Sequence, residues 1–186
     1  MRYRTTTLLI LSCALGVQTF CQSPQDAGSD SQRAIESKAC GPEDKEYFSF
    51  QGTDLKAHPV GVPAPDKALI YVIKTGWKGS ASLSRLAVDG EWVGVNLSHS
   101  YFFFSMAPGQ HFFCSEIVYY QRLRGVLVLN LEAGKTYYLD QVSHAGMTRA
   151  SQDLTVMDEG KAEALLKKLN PSVWEKGGII STGQVQ

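Results

Sequence analysis

Between Lys67 and Val142 the chain alternates short apolar runs with turn residues: KALIYVIK, LAVDGEWVGVNL, SYFFFSMAPGQHFFCSEI and VLVLNLEAGKTYYLDQV. Short apolar runs punctuated by Gly, Pro, Asn and Asp predict an all-β domain. Ala68 to Ile73 is apolar at every position, so it is expected at the centre of a sheet covered on both faces. Asp89-Gly90 has the form of a two-residue hairpin turn that needs positive φ. In that register Leu86 and Val88 share a side with Val93, Val95 and Leu97, while Trp92 falls on the other side, opposite Ala87.

Two further turns follow. Ala107-Pro108-Gly109 is read as joining a strand over 101–106 to one over 110–118, and Glu132-Ala133-Gly134 as a three-residue hairpin between 126–131 and 135–142. Further strands are expected over 46–51 and 153–157. Residues 58–66 (HPVGVPAPD) carry three prolines, which remove backbone donors and suit an extended connector or an edge. Asp158 is placed to cap a helix running through Asn170, with Ala162, Leu165, Leu166 and Leu169 on one stripe and Pro171 closing it. The expected architecture is a single antiparallel β-sandwich of about eight strands with one C-terminal amphipathic helix.

The amino-terminal end bears on compartment. Arg2 and Arg4 precede a mostly apolar stretch, Leu8 to Phe20, too short to span a bilayer core comfortably. This pattern reads as a secretory signal peptide over 1–21, cleaved after Cys21. The alternative is a lipid anchor on Cys13 or Cys21, although neither is preceded by a good lipid-modification sequence. Residues 22–39 are polar and read as a disordered linker, 40–170 as the sandwich domain with its helix, and 171–186 as a flexible tail. Cleavage removes two of the eighteen basic residues and none of the eighteen acidic ones, so the mature chain is slightly acidic. Nothing in that balance offers the basic face that nucleic acid requires. A periplasmic or secreted location is expected.

Cys13 and Cys21 leave with the signal, and Cys40 and Cys114 remain. Two cysteines in an oxidising compartment are most simply a disulfide. On the chain-entropy model, a bridge closing so long a loop contributes about 4 kcal/mol. A redox-active or metal-binding pair would want CxxC spacing or a neighbouring histidine cluster, which this sequence does not supply.

The segment CGPEDKEYFSF, the strand KALIYVI, the VDGEWVG hairpin, the run NLSHSYFFFSMAPGQHFFC and the LEAGKTYYL turn together resemble the bacterial domain of unknown function numbered 2846. The resemblance covers roughly Cys40 to Leu169 and rests on Asp89-Gly90, Tyr101, Pro108-Gly109, Gly134-Lys135 and Tyr137-Tyr138. It implies an exported protein, in many family members a lipoprotein, with no assigned activity and hence no catalytic residues to carry over. It also places both remaining cysteines inside matched segments, which favours their pairing.

Chemistry-bearing residues are sparse. His58, His99, His111 and His144 stand at no chelating spacing, so no metal site is assigned. No Gly-x-Ser-x-Gly elbow occurs, Asp158-Glu159 suits a helix start better than acid–base work, and Gly134-Lys135-Thr136 lacks the rest of a phosphate loop. No cofactor is expected. The aromatic runs at 101–104, 112–113 and 119–120 instead suggest an exposed stripe of Trp92, Tyr101, Phe103 and Tyr119. Such a stripe would contact a glycan or a protein of the cell envelope, the rival reading being that a two-layer sandwich buries both faces. The expectation is a non-enzymatic binding or structural module of the bacterial envelope. The alternative is a periplasmic hydrolase using a metal or carboxylates gathered by the fold.

Overall fold

The computed structural model describes residues 24–42, 48–56, 58–76, 82–118, 123–145, 150–177 and 179–185. The proposed signal segment, its cleavage point and Tyr119 lie outside these residues. Two helices and eleven strands are present among them. In chain order they are α1 (Pro24–Ala39), β1 (Ser49–Thr53), β2 (Ala68–Lys74), β3 (Ser84–Val88), β4 (Glu91–Asn96), β5 (Ser100–Met106) and β6 (Gly109–Ile117). There follow β7 (Arg124–Leu131), β8 (Thr136–Ala145), β9 (Ala150–Val156), α2 (Glu159–Leu166), β10 (Asn170–Lys176) and β11 (Ile179–Thr182).

The strands form two sheets. One has seven strands in the order β1-β10-β5-β2-β8-β9 with β11 beside β10, and the other has four in the order β4-β3-β6-β7. β2 is central and buried along its whole length, as its unbroken apolar run predicts. The fold is broadly all-β, but a single antiparallel sandwich is not what forms. The larger sheet is mixed, because β2 runs parallel to β8 and β10 runs parallel to β5.

The cause lies in two turns. β5 and β6 flank Pro108 but belong to different sheets, and so do β7 and β8 around Gly134. Each turn carries the chain across the core instead of closing a hairpin. Turn residues dictate where the chain reverses, not which edge the next strand joins. The Asp89-Gly90 turn does close a hairpin, with φ of 50° and 83°, and Trp92 pairs with Ala87 as its register requires.

Three apolar clusters build four layers. Between the sheets lie Ile70, Val72, Phe102, Phe104 and Leu139 from one side and Leu86, Val88, Val95 and Phe113 from the other. On the outer face of the mixed sheet, Leu69, Tyr71, Ile73, Tyr101, Phe103 and Tyr138 pack against Met157, Ala162 and Leu169 around α2. On the outer face of the smaller sheet, Ala87, Trp92 and Cys114 meet Ala39 at the end of α1. The Cys40–Cys114 disulfide is formed there, across 74 residues of sequence. Beside it Glu116, 1% exposed, accepts from Arg85 at 2.6 Å and from Arg124 at 2.6 Å, while the Arg85 guanidinium lies 3.7 Å from the Trp92 ring.

Two segments expected to be irregular are ordered. Residues 24–39, read as a disordered linker, form α1, whose C-terminal end is tied to β6 by the disulfide. Composition reflects only what a segment can bury and carries no trace of a covalent tether. Residues 171–186, read as a flexible tail, supply most of β10 and all of β11. Pro171 stands near the start of β10, where a missing N–H is tolerated, and Trp174 is buried edge-on against Phe102 with ring centroids 5.1 Å apart. Correspondingly, α2 ends at Leu166 and not at Asn170, while Asp158 caps it by accepting from the Lys161 N–H at 3.1 Å.

Candidate ligand cleft

The proposed aromatic stripe does not assemble. Trp92 is fully buried on the outer face of the smaller sheet, its Nε1 donating to the Pro42 carbonyl at 2.9 Å. Tyr101 and Phe103, 3% and 2% exposed, lie on the opposite outer face of the molecule, beneath α2. β4 and β5 are consecutive yet belong to different sheets, which separates these residues. Tyr119 lies outside the described residues.

What the fold gathers instead is a set of tyrosines. Tyr71 on β2, Tyr101 on β5 and Tyr138 on β8 project from the outer face of three adjacent strands. The Tyr71 ring stacks on Tyr138 at 5.4 Å and 22°, and contacts Phe103 at 5.0 Å and Tyr101 at 6.3 Å. Their outer ends floor a cleft of about 610 Å³ between α2 and the proline-rich connector, within the usual range for small-molecule sites. Leu69, Leu166, Pro59 and Val60 supply apolar wall.

The connector is held by the phenols. The Gly61 N–H donates to the Tyr71 hydroxyl oxygen at 2.7 Å, and the Tyr101 hydroxyl donates to the Pro59 carbonyl at 3.4 Å. Glycine is required at 61 because a Cβ there would stand 2.9 Å from both Leu69 methyls and from the Phe103 ring. With one lone pair of its oxygen occupied, Tyr71 keeps its own proton available to a ligand. The Tyr138 hydroxyl has no hydrogen-bond partner among the described residues.

All three phenols stay protonated through the physiological range. Burial raises Tyr71 against the lowering effect of the Gly61 N–H. Burial, helped by Tyr71, pushes Tyr101 up to about 12. Burial, with Glu159 and Glu163 nearby, raises Tyr138. The polar rim is His58, Thr136, Glu163 and Lys167.

The remaining histidines take structural positions. His111 bonds Asp89 at 2.7 Å and the Ala107 carbonyl at 3.1 Å, bracing the hairpin turn. His144 pairs with Asp153 across β8 and β9 at 2.9 Å, and His99 adopts a φ of 65° in the turn before β5. Among the described residues no three His, Cys, Asp or Glu side chains converge in a metal-holding group.

A buried polar layer between the sheets went unread in the sequence. Lys74, fully buried at the end of β2, donates to Ser84 at 2.8 Å and Ser143 at 2.7 Å. Ser143 passes the chain on to Gln152, and Gln152 to Ser115. A lysine beside serines could in principle serve nucleophilic chemistry. Here Lys74 and Ser84 have no exposed surface, so the contact joins the sheets without meeting a substrate. Part of the signal was present, since β2 and β4 each end their apolar run on a polar residue, Lys74 and Asn96.

No family model, no curated protein and no solved structure matches this chain. The likeness to the domain of unknown function therefore rests on the turn and strand motifs alone. No described helix is long and apolar enough to cross a membrane.

Proposed function

We propose that the chain is an exported, non-enzymatic binding module of the bacterial envelope, related to the domain of unknown function numbered 2846. Its ligand site in this reading is the tyrosine-floored cleft. The carrying observation is that two buried phenols, Tyr71 and Tyr138, reach a cleft of about 610 Å³ with hydrogen-bonding capacity left over. Rings fixed by neighbouring aromatic contacts present those hydroxyls at little entropic cost, which is how a binding site is preorganised. The disulfide fits an oxidising compartment, and the leader-like amino terminus fits export.

The test is a nuclear magnetic resonance screen of the purified disulfide-bonded chain against a mixed panel of small polar and amphipathic compounds. Shifts confined to Gly61, Leu69, Thr136 and Leu166 are expected. Compounds that perturb only other surfaces, or turnover of any of them, would count against a binding role for the cleft.

A further inference from the structure

Resting on that reading of the cleft, we infer that its ligand is an uncharged, hydroxyl-rich ring compound, a short neutral saccharide. The charges around the cleft favour a neutral ligand. Glu163 and Lys167 lie one helical turn apart at the end of α2, in the orientation that favours an ion pair, and both line the cleft. Neither has an ion-pair partner among the described residues. A ligand of either sign would gain one of these groups and be opposed by the other. A neutral ligand answers both, giving a hydroxyl proton to the carboxylate and a lone pair to the ammonium.

The hydrogen-bonding groups of the cleft favour the same class of ligand. Tyr71 offers a proton, while Tyr138 and Thr136 can each donate and accept. A fatty acyl chain would leave these groups unanswered on binding, which costs affinity. A ring bearing several hydroxyls meets donors and acceptors together and sets its C–H face against Leu69, Leu166 and the tyrosine edges. About 610 Å³ accommodates more than one such ring.

The test titrates the full disulfide-bonded chain with cellobiose and N,N′-diacetylchitobiose, and in parallel with octanoate and the zwitterionic dipeptide Ala-Leu, while the cleft resonances are followed. At least one disaccharide is expected to shift Gly61, Thr136 and the Leu69 and Leu166 methyls saturably. Tyr138→Phe, which keeps the stacked ring, and Glu163→Gln, on the exposed helix face, should each weaken that binding roughly three- to tenfold with an unchanged melting curve. The inference is overturned if octanoate or the dipeptide moves those signals and neither disaccharide does. It is overturned equally if both variants bind the disaccharide as tightly as the parent chain. If no compound of any class moves the cleft signals, the cleft is not a ligand site and the broader reading fails with it.

Discussion

Lys74 should contribute stability that grows as pH rises, the reverse of the usual effect of alkali on a folded protein. Its ammonium is fully buried between the sheets, and burial, partly offset by Asp140, lowers its pKa from 10.5 to about 8. Below pH 8 the lysine is charged in both the folded and the unfolded chain, so the desolvation penalty is present in full. Between pH 8 and 10.5 the folded chain releases this proton while the unfolded chain keeps it. The folded state then binds fewer protons, and stability increases with pH. At about 1.4 kcal/mol per pH unit of displacement, the full rise is about 3 kcal/mol. Urea unfolding of the parent and of Lys74→Met from pH 7 to 10.5 isolates the effect, because the tyrosines and surface lysines titrate alike in both and cancel. Loss of the ammonium leaves Ser84 without its donor, an offset that does not vary with pH. The difference between the two stability curves should therefore tilt in favour of the parent as pH rises. A flat difference, or one falling with pH, would refute a buried charged lysine at this position.

Three other perturbations probe the frame. Replacing Cys40 and Cys114 together by alanine should lower stability by about 4 kcal/mol in urea and expose α1 to protease, and an unchanged midpoint would show that the bridge constrains nothing. Trp174→Ala should cost about 3–5 kcal/mol by thermal or urea unfolding, whereas a detachable tail would lose nothing on the same substitution. Gly61→Ala forces a methyl against Leu69 and Phe103, and about 1–3 kcal/mol of destabilisation with weakened cleft binding is expected in a combined melt and titration.

Local periodicity made much of this fold legible. The full burial of β2, the positive φ at Asp89 and Gly90, the Asp158 cap and the pairing of Trp92 with Ala87 follow from residue type and spacing. Sheet membership did not follow, because Pro108 and Gly134 mark reversals that are equally compatible with a hairpin or a crossing between sheets. The ordering of α1 and β10 depends on Cys114 and on Phe102, partners 74 and 72 residues away in the chain. The cleft was the least legible part. Of the three stripe residues described, Trp92, Tyr101 and Phe103, only Tyr101 lines it, and Tyr71, Tyr138 and the connector meet it only because β2 lies between β5 and β8. The reading of alternate strand residues as exposed failed at Tyr101 and Phe103 because α2 covers that face.

The strand order also carries a consequence in time. β1, the first described strand, pairs with β10, and β10 lies beside β5, so this edge of the larger sheet waits for Asn170 to Lys176. Central β2 likewise waits for β8 before both its edges are matched. A chain emerging from its amino end cannot close this architecture until β10 has been made, and pairings so distant in sequence form slowly. The same topology that builds the cleft thus keeps the growing polypeptide open, with β1 and β5 lacking their neighbour, until Asn170 to Lys176 arrive.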